Sequence, residues 1–325
     1  MPAMTMIEAI RAELDDALAR DERVMVIGED VGTLGGVFRA TDGLQARYGE
    51  ERVVDMPLAE ASIVASAIGL AISGMRPIAE IQFLGFAHQA FHQIAQQVAR
   101  LRFRSQGRCE LPLVIRAAFG GGVRSPELHS DAFEALYAHA PGLKVVAPAT
   151  AVDAKGLLHA AIEDPDPVLF LEPLRGYRMH REEVVAEPYA IPLGTLRTVR
   201  EGDALTFVAW SAAVTLAEEA AAILAGEGIK AHVVDLRSLN PLDVEGLAAA
   251  VDRTGRCVVV HEAPLTGGFG AEIVATLVEN AFYSLEAPIE RVTAPDTPYP
   301  LAGAEKFYVP SVDEVVAAAR RVLAA

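Results

Sequence analysis

The feature that most constrains this chain is a rhythm: short, largely apolar runs alternate with helix-length amphipathic stretches. Val24–Ile27, Arg52–Val54, Ile78–Phe83, Leu111–Ala117, Leu143–Ala147 and Val168–Leu171 are the runs of the first half. A strand that is apolar on both faces must be covered on both faces, which predicts a mostly parallel sheet flanked by helices. Between the runs, apolar residues recur at three- and four-residue steps. In the first such stretch, Thr5 to Asp21, Ile7, Ile10, Leu14 and Leu18 share a face, and Thr5 and Glu8 have capping-box spacing. A second α/β series starts at Leu205, with strands predicted at Leu205–Trp210, Ala231–Leu236, Cys257–His261 and Ile289–Thr293. The stretch Glu172 to Asp203 between the two series is richer in Pro and charge and has no period. The expected division is a domain over 1–185, a connection over 186–203 and a smaller α/β domain over 204–325.

Composition narrows the function. The formal net charge is −16, which argues against nucleic acid and anionic membrane surfaces as partners and permits a basic protein partner. Cys109 and Cys257 lie far apart with no paired spacing, so neither a disulfide framework nor a metal site is read, and a reducing cytoplasm fits. Met1–Thr5 lacks a basic region followed by an apolar run, and no apolar stretch reaches the roughly 18–20 residues of a membrane span.

Several polar and aromatic residues fall just past predicted strand ends: Glu29, Glu60, Gln82 with Phe86, and His129. In a parallel sheet these ends share one edge, where ligands bind. Glu60 stands where the strand before Asp55-Met56-Pro57-Leu58-Ala59-Glu60 gives way to a helix over Ala61–Gly74. The helix dipole favours a carboxylate there by about 0.3–1 kcal/mol, while apolar neighbours oppose ionisation. That balance suits proton exchange with a bound heterocycle; a Glu complementing the dipole is the plainer alternative. His129 sits on a loop and changes charge near neutrality, as a general acid or base requires. Gly120-Gly121-Gly122 lacks the Lys and Ser/Thr of a P-loop and reads as a turn passing close to another group. Phe86 fits either a stacked ring or the core. His88 and His92, four apart on a helix expected over 87–104, lack the third ligand of a metal site. Gly267-Gly268-Phe269-Gly270 opens a helix, as either a tight turn or an anion cradle.

In order along the chain, Gly28-Glu29-Asp30-Val31-Gly32, Gly36-Val37-Phe38-Arg39-Ala40-Thr41, Pro57-Leu58-Ala59-Glu60, Glu80-Ile81-Gln82-Phe83, Pro126-Glu127-Leu128-His129-Ser130, Pro141-Gly142-Leu143-Lys144-Val145-Val146 and Asp153-Ala154-Lys155-Gly156-Leu157-Leu158 form a specific series. Val234–Asp243 and Asp296-Thr297-Pro298-Tyr299-Pro300 continue it. Over nearly its whole length the chain resembles the beta subunit of thiamine-diphosphate-dependent 2-oxo acid dehydrogenases. Ser125–His129 is more like the bacterial pyruvate type than the branched-chain type, which carries extra His before the position of His129.

The resemblance implies a pyrimidine-binding parallel-sheet domain, a transketolase C-terminal-like domain and an α2β2 assembly. It implies that Glu60 hydrogen-bonds the aminopyrimidine of thiamine diphosphate and drives its activation. Glu29, Leu58, Ala59 and Gln82 line the pyrimidine pocket with Phe86 on the ring, and His129 helps hand the acyl group to a lipoyl arm. A potassium ion is implied at Leu113, Ala161, Ile162, Asp164 and Asp166, the last replacing the Asn of some relatives. The family's Gly-Asp-Gly and Asn pair, which hold Mg²⁺ and diphosphate, are missing; the only asparagines are Asn240 and Asn280. The expected enzyme is therefore active only with an alpha subunit that holds Mg²⁺, and its complex partner is a dihydrolipoyl acyltransferase core. The alternatives are the branched-chain 2-oxo acid or acetoin enzyme, or a non-catalytic docking subunit. A self-sufficient enzyme is disfavoured by the missing Mg²⁺ half.

Overall fold

The computed structural model describes residues 1–325. Seven strands form the first sheet, in the order Ser238–Asn240, Lys144–Val146, Val168–Pro173, Val114–Phe119, Arg76–Phe83, Val24–Gly28 and Val53–Asp55. All neighbours are parallel except at the Ser238–Asn240 edge. From Val24–Gly28 the chain steps to one side for Val53–Asp55 and then crosses to the other for Arg76–Phe83. That reversal makes the carboxyl ends of Val24–Gly28 and Arg76–Phe83 a topological switch point, where a crevice opens. The second sheet runs Glu290–Ala294, Cys257–Pro264, Leu205–Ala209, Ala231–Asp235 and Arg197–Arg200.

Helices cover the faces as the apolar runs require. Met6–Arg20 has the predicted capping box and packs with Ala151–Glu163 over one face of the first sheet. The other face shares a continuous core with the second sheet, from Ile27 and Ile63 through Leu143 to Trp210 and Val234. Ala213–Gly226 and Val312–Ala324 cover the far side of the second sheet.

Three segments depart from the sequence reading. The single helix expected over 87–104 is a 3₁₀ segment at Leu84–Ala90, a π-helical segment at His92–Val98 and a short α-helix at Leu101–Arg104. Its start is set by packing: a Cβ on Gly85 would stand 2.2 Å from the Leu128 carbonyl oxygen. Within the stretch read as a connection, Arg197–Arg200 pairs antiparallel with Val233–Asp235. Ser238–Asn240, read as part of the second series, instead joins the first sheet beside Val145 and Val146. Periodicity shows that a run is buried; it does not say which sheet receives it.

The first sheet has a charge at its centre. Arg116 is 2% exposed and sits between two carboxylates on adjacent strands. Its Nε and Nη2 donate to Glu172 at 2.6 and 2.9 Å, and its Nη1 donates to Glu80 at 2.6 Å. The Tyr177 hydroxyl donates to Glu172 at 2.7 Å. Burial pushes the Glu80 carboxyl up, and the guanidinium opposes that shift. Removing one member of such a buried set strands the others. Arg116→Met is expected to lower stability by about 3–5 kcal/mol, measured by urea denaturation of the purified chain; a loss under about 1 kcal/mol would contradict this account.

Candidate active site

The crevice at the switch point collects the strand-end residues. Val24–Gly28 delivers Glu29, half-buried, into a loop pinned by Gly32 N donating to Asp55 at 2.6 Å and Thr41 Oγ1 donating to the Val31 carbonyl at 2.7 Å. Glu60 is the first residue of the helix Glu60–Ile72 and is only 8% exposed. Burial raises the Glu29 carboxyl above its ordinary range, followed by the charges of Asp30 and Glu60. Glu60 thus lies near enough for its charge to act on Glu29. Leu58 stands 73% exposed beside them and Ala59 is half-buried.

Gln82 and Phe86 come from the next strand end, both half-buried. Phe86 meets the His129 ring edge-on at 4.9 Å, and Phe83 meets it at 4.4 Å. Behind Phe83, Phe38 packs at 5.4 Å, and Tyr177 packs on Phe38 at 5.0 Å. The aromatic chain therefore ends at the hydroxyl bound to Glu172. His129 closes a 3₁₀ turn, Glu127–His129, and its Nδ1 is buried without a partner.

The loop that carries His129 starts at the three glycines, and each answers a side chain from elsewhere. A Cβ on Gly120 would lie 2.3 Å from Glu262 Oε2, one on Gly121 1.9 Å from the Tyr299 hydroxyl, and one on Gly122 2.7 Å from Arg175 Cδ. The turn passes close to protein. Gly268 and Gly270 likewise make room for the His261 ring, so that motif serves packing. His88 and His92 do not act together: His88 Nδ1 meets the Gly85 carbonyl at 3.0 Å, and His92 Nε2 meets Gln97 at 3.0 Å.

Behind the loop lies a cluster the sequence did not disclose. Trp210 Nε1 donates to Glu134 at 3.3 Å, and His261 stacks on Trp210 at 5.0 Å. Burial lowers the His261 imidazole to about 3 and raises the Glu134 carboxyl to about 7. Asp131, two residues past His129, is raised to about 6 by burial.

Residues 2–179 match the transketolase pyrimidine-binding domain, and residues 194–315 match the transketolase C-terminal domain. The chain is 50% identical over 323 residues to the pyruvate dehydrogenase E1 component subunit beta of Bacillus subtilis, covering 99% of each. The chain belongs to the beta-subunit family of thiamine-diphosphate-dependent 2-oxo acid dehydrogenases. Proteins of the same name from Staphylococcus epidermidis and Staphylococcus aureus are 48% and 47% identical, again over 99% of both chains. Among solved structures, a split-gene transketolase described as an inactive beta4 tetramer superposes with TM-score 0.81 at 27% identity, over 99% of each chain. A transketolase variant from Pichia stipitis gives 0.71 at 16% identity over 46% of its length, a likeness of fold alone.

The crevice residues fit the pyrimidine half of the family's coenzyme: a buried carboxyl, a second carboxyl, an amide and an aromatic ring converge on an edge left open beside Leu58. The five oxygen-bearing residues of the implied potassium site lie elsewhere, before the strands Val114–Phe119 and Val168–Pro173, at the opposite edge of the sheet. There Lys144 Nζ donates to Asp164 at 2.6 and 2.7 Å, Arg102 donates to Asp166 at 3.0 Å, and Arg76 donates to the Ile162 carbonyl at 2.7 Å. Both carboxylates are thus already neutralised by this chain's own cations.

The raised Glu134 carboxyl carries a pH dependence. The folded state holds that proton more tightly than the unfolded state, so stability falls as pH rises from the ordinary carboxylate value toward about 7. Glu134→Gln keeps an acceptor for Trp210 and removes the charge. Relative to the parent it is expected to gain up to about 3 kcal/mol between pH 5 and pH 8, read from urea midpoints at both pH values; a pH-independent difference would refute the assignment.

Proposed function

We propose that this chain is the beta subunit of a pyruvate dehydrogenase. With an alpha partner, in an α2β2 assembly, it would oxidatively decarboxylate pyruvate and pass the acetyl group to a lipoyl arm of an acyltransferase core. The observation that carries the reading is the buried Glu60 at the switch point, near enough for its charge to act on Glu29, on the same strand-end edge as Gln82 and Phe86. When bound, thiamine diphosphate supplies the carbanion chemistry. Glu60 would hold the ring nitrogen of its pyrimidine and govern the proton there. Glu29 and Gln82 would offer polar groups to it, and Leu58, Ala59 and Phe86 apolar ones. His129, oriented by Phe83 and Phe86, faces the substrate and assists the handover to the lipoyl arm.

Hard Mg²⁺ and the diphosphate need oxygens that this chain does not supply through the family's motif, so the alpha subunit would hold them. The split transketolase neighbour, titled an inactive beta4 tetramer, supports the view that a chain of this shape needs its counterpart. Any potassium ion at the far edge would have to share its ligands with Lys144, Arg102 and Arg76, which already bind Asp164, Asp166 and the Ile162 carbonyl. No helix is long and apolar enough to cross a membrane, and a cytoplasmic complex is proposed.

Ser125–His129 favours pyruvate over branched 2-oxo acids; comparing pyruvate and 2-oxoisovalerate with the reconstituted pair tests that choice. Glu60→Gln is expected to lower turnover by about 10²–10⁴-fold while the heterotetramer still assembles, checked by steady-state kinetics and gel filtration; near-parental turnover would remove Glu60 from the chemistry. His129→Ala is expected to depress lipoyl acylation at least about tenfold more than decarboxylation measured with an artificial electron acceptor. Equal losses would count against the handover role.

A further inference from the structure

We infer that Tyr299 and Glu305, from the C-terminal domain, are positioning residues that clamp the loop bearing His129. This inference rests on the proposed role of His129. The loop from Gly120 to Ser130 has only one 3₁₀ turn of its own, and few of its backbone groups bond within it. Its fixed points come from outside. Gly122 N donates to the Tyr299 hydroxyl at 3.3 Å, and Arg124 N donates to Glu305 Oε2 at 2.9 Å. The Tyr299 hydroxyl stands near enough to Glu305 for that carboxylate to help raise it, after burial. The two contacts therefore hold backbone N–H groups two residues apart, one on a phenol and one on a carboxylate.

Two further observations show that the loop is built to receive this clamp. Gly120, Gly121 and Gly122 are the positions where a side chain would collide with Glu262, Tyr299 and Arg175, and Arg175 is itself tied to Glu262 at 2.8 Å. Arg124 is held at φ +58, a conformation a non-glycine residue keeps only when its surroundings over-determine it. The Glu305 carboxylate, 8% exposed as a residue, supplies that determination at the Arg124 amide. From Arg124 the chain runs through Ser125, whose hydroxyl meets that of Ser130 at 2.7 Å, to the His129 turn packed on Phe83 and Phe86. A displacement at Arg124 is thus carried to the imidazole, and an error of about 1 Å in a reacting group costs up to about a hundredfold in rate.

The test uses the reconstituted heterotetramer with Tyr299→Phe, Glu305→Ala and Glu305→Gln. Tyr299→Phe deletes only the hydroxyl, and Glu305→Gln keeps an acceptor for the Arg124 amide. In Tyr299→Phe and Glu305→Ala, lipoyl acylation is expected to fall about tenfold, with decarboxylation to an artificial acceptor within about twofold of the parent; Glu305→Gln restores acylation. Independently of activity, trypsin is expected to cut after the exposed Arg124 at least about fivefold faster in Tyr299→Phe and Glu305→Ala, followed by mass spectrometry. Unchanged cutting in both variants overturns the clamp whatever activity does. Faster cutting with acylation intact, or with both reactions falling in step, overturns its link to His129. If His129→Ala itself spares acylation, the functional reading fails while the cutting rates still decide the clamp.

Discussion

A guanidinium buried in the middle of a parallel sheet is the constraint on which the rest of this structure depends. Arg116 holds Glu80 and Glu172 on the strands at either side of it, just below the carboxyl ends that form the crevice. Its neighbours cannot shift without exposing a charge to a dry interior, so three strands share one register. The set also reaches upward. Glu80 lies under Gly36, whose missing side chain lets the loop after Glu29 settle over it. Tyr177 transmits the position of Glu172 through Phe38 and Phe83 to His129. The rigid floor thus orients both walls of the site.

Above that floor stand the strand-end groups proposed as this chain's half of a reaction chamber. They are a buried carboxyl, a second one that feels its charge, an amide, aromatic rings and an imidazole. The grip on metal and phosphate is absent from the sequence, and the exposed Leu58 marks the open flank. Further buried acids gather behind the loop, around Trp210 and the two tyrosines Tyr299 and Tyr308. Burial pushes the Tyr308 hydroxyl up to about 12, with the charges of Asp131, Glu262 and Glu134 adding to it.

The sequence made the alternating architecture legible because each buried strand had to be apolar on both faces, and it made the crevice legible because strand ends in a parallel sheet converge. That convergence is what singles out Glu29, Glu60, Gln82, Phe86 and His129 as candidates. The glycine triplet was readable as a close approach, but its occupants were not: Glu262 and Tyr299 lie more than a hundred residues along the chain, and no local pattern names a partner at that distance. The broken helix after Leu84 escaped for the same reason, since its backbone answers to Leu128. Arg116 escaped too, because one basic residue inside an apolar run reads as noise until its two carboxylates are seen beside it.

The pairing of Ser238–Asn240 with Val145 and Val146 has a consequence for synthesis. A sheet edge left uncovered is a template for unwanted association, and a chain leaves the ribosome from its N-terminus. The edge strand Lys144–Val146 must therefore wait, bare, until most of the second sheet has been translated. Nature has sewn the last stitch of the first half with thread from the second, so the two halves mature as one body.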